Sequence, residues 1–221
     1  MIVTIDGPAG AGKSTAARAL AGRLGFRFLN TGAMYRAVAW AAVARGLSLD
    51  DAAGIVGLAR SLDIRLEENR VLVDGVDATQ AIRTAEVTAL THFAANNPGV
   101  RQHLVELQRQ AAGSGNVVAE GRDQGTVVFP HAECKIFLTA GPHERARRRV
   151  EDLRAQGQEI PFEVVLQQQI ERDRSDATRS VGPLVRAADA VELSTDGLGA
   201  DAVVDRLEEI VRKSLGLRGH V

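Results

Sequence analysis

Eight residues near the start, Gly7-Pro-Ala-Gly-Ala-Gly-Lys-Ser14, restrict this chain more than any other stretch. They match the pattern G-x-x-x-x-G-K-[ST] in full. Before them, Met1–Asp6 reads Met-Ile-Val-Thr-Ile-Asp, the β-branched run of a buried parallel strand. After them, Ala17, Leu20, Ala21 and Leu24 recur at the period of an amphipathic helix, and Gly25 stops it. A strand, a glycine loop and a helix in that order demand an α/β layered fold with the loop at a helix N-terminus, where anions are favoured. Glycines let successive N–H groups turn inward around phosphates, Lys13 adds a point charge near the β/γ positions, and the Ser14 hydroxyl reaches a Mg²⁺ ion. Gly7, Pro8, Ala9, Gly10, Ala11, Gly12, Lys13, Ser14 and Thr15 are therefore the candidate triphosphate-binding set, with Ser14 the metal contact. The loop leaves open what is done with the triphosphate.

The rest of the chain alternates strands and helices. Strands are expected at Arg27–Asn30, Asn116–Ala119, Lys135–Thr139 and Ala190–Ser194. Helices are expected over Gly32–Gly46, Leu49–Ser61, from about Ile82, then Pro98–Ala111, Pro142–Gln156, Pro161–Asp173 and Ala202–Leu215. Asp63–Leu66 and Arg70–Val73 instead alternate polar and apolar, joined by Glu68-Asn69, with Asp74-Gly75 as a turn signal. The expected fold class is α/β, a doubly wound parallel sheet with a small inserted β-containing subdomain and a short lid. One domain spans 1–221, with its core at about 1–60, 96–150 and 175–221, the insert at 61–95 and the lid at 150–162.

A formal net charge of −1 gives no support for nucleic-acid or membrane affinity, and no apolar run is long enough to span a bilayer. The chain opens directly on a core strand, so no signal peptide is expected. The lone cysteine, Cys134, reads as a buried small residue and excludes an internal disulfide; a monomer in a reducing cytoplasm is expected. Three lysines serve beside many arginines. That bias reflects either genome composition or the use of planar bidentate donors for several phosphates.

Four further stretches carry chemistry. No Asn-Lys-x-Asp base-reading motif is present, which disfavours a guanine-nucleotide switch. Asn116-Val-Val-Ala-Glu120 ends in Glu and runs into Gly121-Arg-Asp-Gln-Gly-Thr-Val-Val-Phe129, either a shaped ligand loop or a salt-bridged turn. Asn30-Thr-Gly-Ala-Met-Tyr-Arg36 puts Thr31 at a helix start as a candidate cap, with Tyr35 and Arg36 offering an aromatic surface and a phosphate fork. The bland alternative is a capped helix with an exposed arginine. Glu144-Arg-Ala-Arg-Arg-Arg149 sets Arg145, Arg148 and Arg149 on one helical face. They are either lid arginines stabilising a transferring phosphoryl, with Arg145 and Arg149 as the catalytic candidates, or a solvated stripe. Glu171-Arg-Asp-Arg-Ser-Asp-Ala-Thr-Arg179 is dense in Arg and Asp, a binding cluster or a charged face.

Taken together, Ile5–Ser14, Thr31–Arg36, Ile82–Val87, Gly121–Pro130 and Arg172–Asp176 resemble the bacterial cytidylate kinases, a branch of the nucleoside-monophosphate kinases, in family order. The resemblance implies transfer of the γ-phosphoryl of ATP, with Mg²⁺, to CMP or dCMP; another nucleoside monophosphate or a small hydroxyl acceptor is the alternative. It makes the insert the monophosphate-binding subdomain. It implies that Arg36, Arg122 and Arg179 hold the acceptor phosphate, Arg172 and Asp176 the ribose, and Arg101 and Asp123 the cytosine. A carboxylate accepts from the cytosine amine, and uracil offers it only another acceptor. One departure stands out: His92 occupies the place where the family commonly has a base-contacting serine.

Overall fold

The structure is a computed structural model and describes residues 1–67, 70–155, 157–214 and 216. The chain divides into two compact units, Met1–Phe28 with Asn116–Val221, and Leu29–Gly115.

The larger unit is built on a parallel sheet. β1 (Ile2–Asp6) lies between β6 (Val117–Gly121) and β7 (Cys134–Thr139), and β8 (Val191–Ser194) pairs with β7. The full strand order is β2-β6-β1-β7-β8, with β2 (Arg27–Asn30) the strand in which the chain passes into the second unit. Asp6 stands level with Gly121 on one side and Phe137 on the other. β1 and β6 therefore end together, β7 runs two residues further, and the loops that follow the three share the carboxyl edge where such sheets bind ligands. On one face Val3, Ile5, Val118, Ile136 and Leu138 pack against Ala17 and Leu20 of α1 (Lys13–Leu24) and Val203, Leu207 and Val211 of α8 (Ala200–Ser214). Gly25 ends α1 in the left-handed conformation (φ 66°). α6 (Pro142–Ala155) and α7 (Phe162–Thr178) make a smaller core of Ala146, Val150, Leu153 and Val165. α7 runs further than the Pro161–Asp173 read from the sequence. Arg172, Asp173 and Asp176 all stand on it, and Arg179 is its C-cap.

The second unit comprises α2 (Thr31–Ala44), α3 (Ala52–Ser61), a meander of β3 (Ile64–Leu66), β4 (Val71–Val73) and β5 (Val76–Asp77), a 3-10 turn at Ala81–Arg83, α4 (Ala85–Asn96) and α5 (Pro98–Ala112). The expected hairpin is antiparallel, and Asp74 (φ 50°) and Gly75 (φ 79°) make its second turn. Its other link, Glu68-Asn69, lies outside the described residues. The core gathers Met34, Val38, Ile55, Leu58, Val73, Ile82, Val100 and Leu104, with Trp40 packed at its edge. Asn30, not Thr31, caps α2: its side chain accepts from the Ala33 N–H, and Thr31 is already helical. No helix among the described residues is long and apolar enough to cross a membrane.

Candidate active site

In the larger unit the phosphate loop leaves β1 through Gly7 (φ 150°), Gly10 (φ 78°) and Gly12 (φ 85°). A side chain at Gly7 would place its Cβ 1.9 Å from the Leu138 carbonyl oxygen, so the loop closes tightly on β7 only because that residue is glycine. Lys13 is buried, and its ammonium donates to the Pro8 carbonyl at 2.7 Å. Burial, reinforced by the positive field of Arg122, pushes its pKa down to about 7. Ser14 donates its hydroxyl to Glu120 Oε1 at 2.8 Å, and Glu120 is buried at the end of β6.

A second loop, after β6, is tied to the strand that launches the first. Asp6 accepts from the Gln124 N–H at 2.9 Å and the Gly125 N–H at 2.7 Å. These are the first residues of a π turn, Gln124–Val128, a distortion frequent at functional sites. Burial raises the Asp6 carboxyl to about 6, against the pull of those two amides and of Lys13. Just ahead of the turn, Arg122 donates through Nε to Asp176 Oδ2 at 2.8 Å. Arg179 donates to the Gly182 carbonyl, stands 3.5 Å from Asp176 and comes within 3.9 Å of Asp123. Arg122, Asp123, Asp176 and Arg179, all singled out from the sequence, thus form one alternating chain of charge.

The arginines of α6 take different parts, although they share a helix face. Arg145 is 4% exposed. It donates through Nε to the Ala140 carbonyl at 2.9 Å and through Nη1 to the Ala9 carbonyl at 3.0 Å, and pairs with Asp173 at 2.7 Å. Arg148 is fixed by Glu144 and by both oxygens of Thr195. Among the described residues Lys13, Arg149 and Arg172 enter no ion pair with a carboxylate within 4 Å; burial and the fields of Arg122 and Arg149 lower the Arg172 pKa, against the pull of Asp176 and Asp173.

The second unit holds its own group. Arg101, on α5, is 2% exposed, with its guanidinium 5.3 Å from the centre of the buried Tyr35 ring and an N–H on the Ala95 carbonyl at 3.1 Å. Thr31 is buried. The Arg36 guanidinium lies over the first turn of α2, 3.3 Å from where a Cβ on Gly32 would stand. His92 is exposed on α4, and its Nδ1 lies 2.7 Å from the Ala89 carbonyl of its own helix.

Sequence reasoning missed Asp6, Glu120 and Asp173. Asp6 and Glu120 were visible only as polar residues closing apolar strands, and Asp173 as one acid among several.

The family model for cytidylate kinase matches residues 3–213. The chain belongs to the cytidylate kinase family. The cytidylate kinase of Rhodopirellula baltica is 46% identical over 213 residues, covering 96% of this chain and 93% of that protein. That of Desulfitobacterium hafniense is 50% identical over 208 residues, covering 93% and 90%. Against the bifunctional pantoate ligase/cytidylate kinase of Synechococcus sp. WH7803, this chain spans 44% of that protein's length. The solved structure of an uncharacterized protein from Eubacterium ventriosum shares the fold, with a TM-score of 0.53 at 11% identity over 96% of this chain and 98% of that one. Membership in a kinase family makes the chain a phosphotransferase that draws on a nucleotide phosphoryl donor.

Proposed function

We propose that the chain transfers the γ-phosphoryl group of ATP to CMP or dCMP, giving ADP and CDP or dCDP. An oxygen of the acceptor phosphate attacks the γ-phosphorus in line. The bond from that phosphorus to the β–γ bridging oxygen breaks, and ADP leaves with the electron pair. No protein nucleophile takes part, so the chain's work is positioning and charge stabilisation.

The observation that carries this reading is the sorting of the cations. Arg145 and Arg148 are bound to carboxylates and carbonyls, whereas Lys13, Arg149 and Arg172 enter no ion pair among the described residues. Phosphate oxygens would give Lys13 and Arg149 direct partners, adding to the attraction of Glu120 and Asp6 on Lys13. Lys13 and the loop N–H groups of Gly7 and of Ala9–Thr15 hold the β- and γ-phosphates, and Arg149 meets the group in transit. Ser14 and Glu120 put a hydroxyl and a carboxylate in contact, hard oxygen donors that fit Mg²⁺. Ser14 and Glu120 would hold such an ion, which when bound would supply neutralisation of phosphate charge.

On the acceptor side the family resemblance gives Arg36, Arg122 and Arg179 to the phosphate, Arg172 and Asp176 to the ribose, and Arg101 and Asp123 to the cytosine, with Thr31 and Tyr35 as further acceptor-side candidates. A buried carboxylate favours the cytosine amine over the uracil carbonyl. The resemblance further makes 61–95 and 150–162 the segments that would close over the acceptor and over ATP to exclude water; residues 68, 69 and 156 of them lie outside the described residues.

A panel of nucleoside monophosphates and small hydroxy acids in a coupled ADP-release assay tests this. CMP and dCMP are expected to lead. UMP or AMP outpacing both by tenfold would overturn the reading.

A further inference from the structure

We infer that Asp173 and Arg145 are positioning residues that set the shape of the phosphate loop, and that Arg145 does not touch the transferred phosphoryl. This rests on the proposed use of the loop for ATP. Arg145 spans two segments with fixed donors: Nε on the Ala140 carbonyl at the end of β7 and Nη1 on the Ala9 carbonyl within the loop. Asp173 Oδ2 closes the arrangement at 2.7 Å, on a guanidinium whose side chain is 5% exposed. A buried guanidinium with such partners has no cheap route to a phosphate, because leaving would strand a carboxylate and two carbonyls.

The same corner holds the loop a second way. Gln169 donates to the Arg145 carbonyl at 3.2 Å, and a Cβ on Gly10 would stand 3.0 Å from Gln169 Nε2 and 3.2 Å from Arg145 Cβ. Gln169 and Asp173 are four residues apart on α7 and so share a face. The outer curve of the loop therefore rests on α6 and α7 through three side chains. A loop that binds with backbone N–H groups depends on the angle at which each peptide is held. The Ala9 carbonyl, turned outward onto Arg145, fixes the peptide that gives Gly10 its N–H.

Asp173→Asn keeps the shape and removes the charge. ATP affinity, measured by calorimetry with Mg²⁺, is expected to fall about tenfold, with CMP affinity changed less than twofold. Arg145→Met should lose at least as much, and the double variant no more than Arg145→Met alone, because Asp173 acts through Arg145. An unchanged ATP affinity in Asp173→Asn, an equal loss for ATP and CMP, or additive losses in the double variant would each overturn the inference. If Asp173→Asn does not fold, Arg145→Lys decides the matter. A lysine ammonium lacks the planar fork that sets separate nitrogens on Ala9 and Ala140, so a full ATP affinity in that variant overturns it equally. Wild-type protein that binds ATP without CMP-dependent ADP release sinks the cytidylate reading and leaves the loop test readable from binding alone. Wild-type protein that does not bind ATP sinks both.

Discussion

Lys13 is the residue on which the donor site turns. Its burial and the field of Arg122 together push its pKa down to about 7. A polyanion arriving at the loop reverses the local sign and favours the charged form. Binding of ATP at pH 8 should therefore take up protons, a fraction approaching one per site. Calorimetry in buffers of different ionisation enthalpy measures that number directly. Lys13→Ala should abolish the uptake and cost orders of magnitude in turnover while the protein stays folded. An unchanged proton count would remove Lys13 from the phosphate site. At this scale the sequence was readable where function is local. Gly7–Ser14 declares itself because the backbone of eight consecutive residues makes the site. Arg145 does not, because its partner at Ala9 is 136 residues away. Three arginines on one helix face look alike until the carboxylates and carbonyls around each are known.

Elements were legible to within a few residues wherever periodicity and end signals agreed, as at Pro98 for α5 and Gly25 for α1. They were less so where two end signals competed. Thr31 and Asn30 both suit an N-cap, and the backbone decides: Asn30 is extended (ψ 90°) and accepts from Ala33. The end of α7 was hidden by its charged residues, which read as a binding cluster or a charged face without fixing where the helix stops; two of them, Asp173 and Asp176, pair with Arg145 and Arg122 from within the helix. Asn97 shows how much one cap carries. Its Oδ1 accepts from the Gly99 and Val100 amides, and its Nδ2 donates to the Ala52 carbonyl at the start of α3. α5 in turn supplies Arg101. Asn97→Ala should lower stability by about 1–2 kcal/mol, read as a reduced midpoint in urea. A shift too small to resolve would mean that Pro98 alone starts the helix.

For the whole molecule, two buried charges of opposite sign shape stability against pH. Asp6 has its folded pKa raised to about 6, so its favourable contribution is complete below the unfolded value of 3.8 and is lost as pH rises through about 6. Lys13 has its folded pKa lowered from 10.5 to about 7. Between those values the unfolded chain binds the extra proton, so stability rises with pH. Both groups are charged in the folded protein between about pH 6 and 7, where their joint burial is most unfavourable and is offset in part by the Gly125 and Gln124 amides on Asp6, by Glu120 beside Lys13 and by their mutual attraction. Lys13→Met removes one charge and leaves the packing volume nearly unchanged. In urea unfolding it should be more stable than wild type at pH 6.5, and that advantage should shrink steadily toward pH 10 as the wild-type lysine loses its proton in the folded state. An advantage that stays constant across that range would mean the ammonium is solvated, and that the loop does not hold it in the buried position that makes it a phosphate ligand.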